Sequence, residues 1–350
     1  MTRAAAWFVA GLLVAAPAVA DGTASEAHAW LERMSEALAT RNYDGLFTHS
    51  SPGQAESMRI VHRVEKGRTY ERLVSLDGSG REVVRTRDEV HAYLPDRKVV
   101  LVEPRGDDGS LLKALPTPGP TLDRYYDLSW HQGKKLLGRD IVVIDVRPKD
   151  RSRYGSRLWL DEETAMPVRS VVGDETGRQI EQILFTRLEM KEKIPAKDVE
   201  PAVDANGFQW IRTDRKLAAM PQLPASNGLR PLRVPPGFRL IASRLQPMPG
   251  SPMPAQHLIF SDGIAAISVF IEPGPPNVGP RPPEASRMGS ANVYSTSLHG
   301  HVVTAIGEVP ANTVREIATS VVPIPPVPAQ GPVPAPVPAP AMPAVSSNAP

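Results

Sequence analysis

From residue 43 to about residue 190 the chain repeats one pattern: short runs in which apolar and polar side chains alternate, broken by Gly, Asp or Pro. Alternation with a period of two predicts strands that have one covered face. The runs YDGLFTH, SMRIVHRVEKG, RTYERLVSLDGSG, REVVRTRDEV and HAYLPDRKVVLVEP are punctuated at Lys66-Gly67, Asp77-Gly78-Ser79-Gly80 and Pro95-Asp96. Turns this short join antiparallel neighbours. The pattern resumes in GRDIVVIDVRPKD, SRLWLDEETAMPVRSVVGD and RQIEQILFTRLEM. Two segments break it. Residues 25–40, SEAHAWLERMSEALAT, place Trp30, Met34, Ala37 and Leu38 on one helical face, with Ser25 as N-cap. A second helical patch is expected at LDRYYDL, residues 122–128.

Many strands with one main helix predict a large curved antiparallel sheet, mostly β within an α+β class, that encloses an apolar concavity. Ile60, Leu73, Val83, Tyr93, Val100, Val143, Leu158 and Leu184 are expected to line it. Either the helix or a ligand would fill the space. The alternation lapses over about 196–222, where Pro201, Asn206-Gly207 and Pro221 mark a boundary. A smaller unit follows, with strands FRLIASRL, AQHLIFSDG, IAAISVFIEP, NVYSTSLHG and HVVTAIGEV, then a helix from about Thr313 to Val321. Thr313 and Glu316 fit a Thr-x-x-Glu capping box, and Val314, Ile317, Ala318 and Val321 form the buried face.

The two ends lie outside this pattern. Residues 1–20 carry Arg3, an apolar run and Ala18-Val19-Ala20 before Asp21, the layout of a secretory signal peptide. The apolar run is shorter than the roughly 20 residues that span a bilayer. Residues 323–350 repeat Pro with Ala and Val and carry no charge, which predicts an extended, coreless tail. The organisation expected is therefore a leader (1–20), a large domain (21–200), a linker (201–222), a small domain (223–322) and a proline-rich tail (323–350). The product should be exported to a periplasm, soluble and without a lipid anchor, since the chain has no cysteine.

Composition narrows the chemistry. The net charge of +2 falls to about +1 once Arg3 leaves with the leader, and no basic block marks a nucleic-acid footprint. The dense KDRSR, residues 149–153, reads as a solvated turn. There is no G-x-S-x-G, G-x-G-x-x-G, Walker loop or H-E-x-x-H. His299 and His301 pair on one strand without a third ligand, which suits an exposed hairpin end better than a metal. Asp107-Asp108 and Asp161-Glu162-Glu163 sit in turn-like sequence, where carboxylates accept local backbone hydrogen bonds. No catalytic residue, metal or cofactor is expected, and weight shifts from catalysis towards binding.

Specific motifs then carry a resemblance. HLIFSDGIAAISVFIE, followed by VVTAIGEVPANTVREIATSV, is similar to the C-terminal domain of the RseB/MucB family of periplasmic sigma-E regulators. NYDGLFTH, MRIVHRVEKGRTYERLVSLDGSGREVVR, YLPD and SRLWLDEETAMPVRSVVGDETGRQIEQILFTRLE resemble that family's large domain, so the likeness runs over about residues 25–322. One departure is DGLF where the family often reads Gly-Thr-Phe. The resemblance implies a LolA/LppX-like half-barrel with covering helices joined to a smaller α+β domain. It implies no enzyme but a negative regulator that binds the periplasmic segment of an RseA/MucA-like anti-sigma factor and shields it from the first protease. Lipopolysaccharide or lipoprotein acyl chains would release the grip. On this reading Ile264, Ile267, Val269 and Ile271 are core, whereas Ser261, Asp262, Gly263, Ser268 and Phe270 lie beside the partner. The acyl chain would meet Ile60, Leu73, Val83, Tyr93, Val143, Leu158 and Leu184. A LolA-type lipid carrier and a cell-envelope hydrolase are the alternatives, and a homo-oligomer is left open.

Overall fold

A computed structural model describes residues 23–105, 115, 119, 122–212, 228–246, 253–274 and 282–324. The expected leader, most of the expected tail and the Asp107-Asp108 pair lie outside the described residues.

The alternating runs become one open sheet. Its strands are β1 (Tyr43–Ser51), β2 (Gln54–Glu65), β3 (Arg68–Ser75), β4 (Glu82–Arg85), β5 (Glu89–Leu94), β6 (Val99–Pro104), β7 (Tyr126–Gln132), β8 (Ile141–Pro148), β9 (Gly155–Asp161), β10 (Pro167–Gly173), β11 (Gln179–Met190) and β12 (Gln209–Arg212). The order is β12-β6-β5-β4-β3-β2-β1-β11-β10-β9-β8-β7. Every pairing is antiparallel except that of β12, which runs parallel to β6. Since β12 and β7 are both free edges, the sheet does not close into a barrel. Of the patch at residues 122–128 only Leu122–Tyr125 is helical, as α2, and β7 takes over at Tyr126.

Helix α1 (Ala24–Thr40) lies on the inner face of this sheet. Its buried residues are Ala27, Leu31, Met34, Ala37 and Leu38, with Trp30 half-buried at the margin. They share one core with Tyr43, Phe47, Ile60, Ile144, Leu158 and Phe185. The space that the sequence left to a helix or a ligand is thus filled by the helix. The N-cap is Thr23, not Ser25: Thr23 Oγ1 accepts from Glu26 N–H, and the Glu26 carboxylate accepts from Thr23 N–H, a complete capping box. Glu26 also accepts from Trp130 Nε1 at 3.2 Å, which ties the helix start to β7. Gly45, within the DGLF departure, has a packing reason, since a Cβ there would stand 2.4 Å from the Phe185 ring.

The outer face is covered in part by the chain that follows β11. Ile194 and Val199 pack on Val61. The N–H groups of Ala202 and Val203 then donate to Glu82 Oε1 at 2.8 and 2.7 Å, and Val203, Ala205 and Phe208 cover Tyr93 and Val100. Residues 209–212, expected in the linker, add β12 to the sheet edge.

The small domain is a second sheet of β14 (Arg239–Gln246), β15 (Ala255–Ser261), β16 (Ala266–Pro273), β17 (Glu284–Met288), β18 (Ala291–Leu298) and β19 (His301–Gly307), ordered β14-β15-β16-β19-β18-β17. Beside it, β13 (Leu229–Pro231) pairs with β20 (Val321–Pro323). Helix α3 (Ala311–Thr319) covers one face, where Val314, Ile317 and Ala318 meet Ile267, Val269, Ile271, Val303 and Ala305. The expected capping box does not form, because Pro310 opens the helix two residues early and leaves Thr313 inside the first turn. On the opposite face His257 stacks on Phe270 at 4.2 Å and accepts from Arg244 Nε through Nδ1.

Burial, with Arg244 as a second cause, holds the His257 pKa down at about 4, from an ordinary 6.5. A base shifted this way contributes stability that is full above 6.5 and is lost as pH falls towards 4. At ~1.4 kcal/mol per unit the loss is roughly 3 kcal/mol. Urea unfolding of the small domain, compared at neutral pH and near pH 4, is expected to show that loss in the wild type and much less of it in His257→Gln.

Candidate partner-binding site at the domain junction

The Asp262-Gly263 turn between β15 and β16 does not point into solvent as a free hairpin tip. Asp262 Oδ1 accepts from the N–H groups of Ile264 and Ala265 at 2.9 and 2.8 Å, and Ser261 Oγ accepts from Gly263 N–H. Gly263 takes φ +101°, a conformation that a side chain would oppose. The turn is therefore rigid, and it aims the other oxygen of Asp262 at the large domain. Asp262 Oδ2 accepts from Arg153 Nη1 at 2.5 Å and from the Tyr126 hydroxyl at 2.8 Å. Both charged side chains are fully buried.

Arg153 is the centre of the junction. Its Nε and Nη2 donate to Asp150 at 3.1 and 2.9 Å, and Nη2 also donates to Pro236 O. Three rings surround its guanidinium carbon, Tyr125 at 4.9 Å, Phe238 at 5.1 Å and Tyr126 at 5.5 Å. Burial, reinforced by Asp262, pushes the Tyr126 hydroxyl far above the ordinary tyrosine range, so it stays protonated and can donate. Gly237 fits here because a Cβ would come within 2.5 Å of the Tyr125 ring, and its φ is +91°. Ile264 completes the contact by packing on the core under α1. KDRSR is thus not a solvated turn throughout. Arg153 goes inside because two carboxylates, a carbonyl and three rings replace its water.

Two further contacts cross the junction. Asn292 Nδ2 donates to the Tyr154 hydroxyl at 2.9 Å, and the Thr313 hydroxyl donates to Ser152 O at 3.0 Å. The side chain that was expected to cap α3 therefore links the domains.

The five residues expected beside a partner fall in two places. Ser261, Asp262 and Gly263 form the junction turn, where Asp262 is already spent on Arg153 and Tyr126 and only Gly263 is exposed. Ser268 and Phe270 lie half-buried on β16, on the face away from α3. By register Ser268 is flanked there by Ile259 and Ile306, and Phe270 by His257 and Thr304. Among the described residues no helix covers this face.

The residues expected to line the concavity also divide. Register places Ile60, Leu73 and Val83 in one row and Leu158 beside Ile144, all towards α1. Val143 pairs with Trp159, and Leu184 pairs with Arg169 and Thr48, on the outer face. Tyr93 packs beneath residues 203–208 on that face too. The lining set is therefore Ile60, Leu73, Val83 and Leu158, while Tyr93, Val143 and Leu184 point the other way.

Among the described residues no cluster of three or more His, Cys, Asp or Glu could hold a metal ion. His299 and His301 lie at the β18–β19 turn, where His301 Nδ1 meets His299 O at 2.9 Å. Asp161 is buried and accepts from Arg139 and from Thr164 within its own turn. No helix among the described residues is long and apolar enough to cross a membrane.

Sequence arithmetic missed Tyr126, Arg153 and Gly237, whose partners are far away along the chain. The only local signals were the charge density at 149–153 and the Tyr125-Tyr126 pair.

Residues 26–203 match the MucB/RseB N-terminal domain and residues 224–322 match the MucB/RseB C-terminal domain. Sigma factor AlgU regulatory protein MucB of Pseudomonas aeruginosa is 32% identical over 320 residues, 89% of this chain and 95% of that protein. Sigma-E factor regulatory protein RseB of Salmonella typhimurium is 27% identical over 333 residues, 90% of this chain and 97% of that protein. The structure of the Pseudomonas aeruginosa MucA/MucB complex aligns with a TM-score of 0.67 at 30% identity, covering 85% of this chain and 99% of that one. A structure of MucB alone aligns with a TM-score of 0.59 at 28% identity, covering 85% and 98%. With both domains matched in order along one chain, the protein belongs to the MucB/RseB family.

Proposed function

We propose that this chain is a periplasmic negative regulator of a sigma-E-type envelope stress response. It binds the periplasmic segment of an RseA/MucA-like anti-sigma factor and shields that segment from site-1 proteolysis. The observation that carries this reading is the likeness over both domains to MucB solved together with MucA. The junction supports it mechanically, because a buried ion pair between the domains fixes the angle at which they face a guest chain. The half-buried face around Ser268 and Phe270 offers alternating small polar and apolar side chains to an extended segment. Such a segment must be ordered on binding, at a cost of roughly 2–5 kcal/mol, and a rigid two-domain clamp adds no ordering cost of its own.

Release would come from a lipopolysaccharide or lipoprotein acyl chain entering the inner face of the large sheet. Since α1 already covers Ile60 and Leu158, entry displaces α1, and the ligand must favour the displaced state over the covered one to act at all. Digestion of the purified anti-sigma segment by its site-1 protease is expected to slow in the presence of this chain and to recover when lipid A fragments are added. Photolabelled fragments are expected to crosslink to the inner-face residues. Digestion at an unchanged rate with the chain in excess would refute the shielding role, and labelling confined to the outer face would refute the route of release.

A further inference from the structure

On the outer face of β8, β9 and β10, away from α1, lies a groove of about 750 Å³. Its floor is Trp159, with the Arg169 guanidinium stacked on the ring at 4.4 Å. Arg147, Arg151 and Arg157 also line it. The charges do not balance within the groove. Arg153 is satisfied by Asp150 and Asp262, and Asp174 is taken by Arg178. Asp145 is shared, with Arg157 Nε at 2.5 Å and Arg147 Nη2 at 3.4 Å. Among the described residues Arg169 has no carboxylate partner and donates only to Gln182 Oε1 at 2.9 Å. Arg151 has none either, and Glu175 is the one remaining carboxylate of the lining. The four arginines at 147, 151, 157 and 169 therefore face Asp145 and Glu175; with Arg153 set against both Asp150 and Asp262, and Asp174 against Arg178, the groove as a whole keeps a surplus of one positive charge.

Partial burial and the neighbouring Arg157 both pull the Arg169 pKa below its ordinary value. A guanidinium held half out of water beside a second one costs stability unless a counter-charge arrives. Neither the domain junction nor the face bearing Phe270 uses these residues.

We propose that this groove is a binding site for an oxyanion of the phosphate class, with the Arg169 fork as its principal donor. A phosphate anion supplies the negative charge that this surplus lacks, and its several oxygens suit more than one guanidinium. Its oxygens can meet the Arg169 and Arg157 forks, a diagonal pair on adjacent strands, Arg169 opposite Trp159 and Arg157 opposite Val171, roughly 7–8 Å apart at the backbone. The ring of Trp159 holds the Arg169 plane in place and so lowers the ordering cost of the contact.

The test is calorimetric titration of the full chain, without any protein partner, with pyrophosphate, inorganic phosphate and glycerol phosphate. Saturable binding that weakens at higher salt is expected, with Arg169→Gln about tenfold weaker and Arg212→Gln, at the opposite end of the sheet, unchanged. Binding of glycerol phosphate in preference to the inorganic ions would identify an esterified headgroup as the source, and the reverse order a free phosphate. Near-UV circular dichroism checks that Arg169→Gln is folded. Should it not fold, Arg151→Gln at the exposed rim is expected to weaken binding in the same direction. No saturable heat at millimolar anion, or equal affinity in wild type and folded variants, would overturn the proposal.

Discussion

Replacing Asp262 by alanine is expected to destabilise the folded chain by roughly 3–5 kcal/mol, because it leaves the Arg153 charge buried with only part of its compensation. Arg153 keeps Asp150 and the Pro236 carbonyl, so the loss falls on Nη1 and on the Tyr126 hydroxyl. Asp262 also holds its own turn through Oδ1. Asp262→Asn separates the two roles, since an amide oxygen can still accept from Ile264 and Ala265 but position 262 no longer sets a charge against Arg153. Most of the penalty should therefore persist in Asp262→Asn. Urea unfolding followed by tryptophan fluorescence measures both variants against wild type. The joint replacement Arg153→Met with Asp262→Leu should recover much of the stability, as exchange of a buried ion pair for apolar groups often does. A change below about 1 kcal/mol for Asp262→Ala would mean that water reaches the pair and that the junction is no lock.

The second large effect concerns the partner. Deleting residues 222–350 should abolish binding to the anti-sigma segment, a fall of more than about 100-fold, or ~2.7 kcal/mol. The large domain should survive the deletion. Its core joins α1 to its own sheet, and among the described residues Ile264 is the one small-domain side chain packed against that core. Arg153, once uncovered, would be hydrated instead of stranded. Calorimetry with the purified segment reads the binding, and far-UV circular dichroism reads the fold. Full-strength binding by the truncated chain would move the guest site onto the large sheet and remove Ser268 and Phe270 from the candidates.

The strands were legible because their turns carry Gly, Asp and Pro at positions that demand them, and the apolar face of α1 showed in its spacing. Facing was harder to read. Alternation tells that neighbours along a strand point apart, but which set points inward depends on register, and a one-residue slip inverts it. The pairing here slips between Leu46 and Phe47, between Pro167 and Arg169, and between Val172 and Gly173. An inward facing for Leu184 and Val143 has to be carried across these irregularities, and it inverts there. Arg153 was misread for a different reason, since a charge beside other charges looks solvated until a carboxylate far along the chain neutralises it. The cap of α3 failed because Pro310 fixes its own φ near −52° and begins the helix early.

That early start has a consequence for detecting motion between the domains. The Thr313 hydroxyl donates to Ser152 O across the junction, and the first turn of α3, opened by Pro310, carries no side-chain cap. If the domains swing apart, the amide protons of residues 311–314 should begin to exchange with solvent while those of the central strands stay protected. Deuterium uptake at this one turn would then report how often the clamp stands ajar, with no label attached and no guest present.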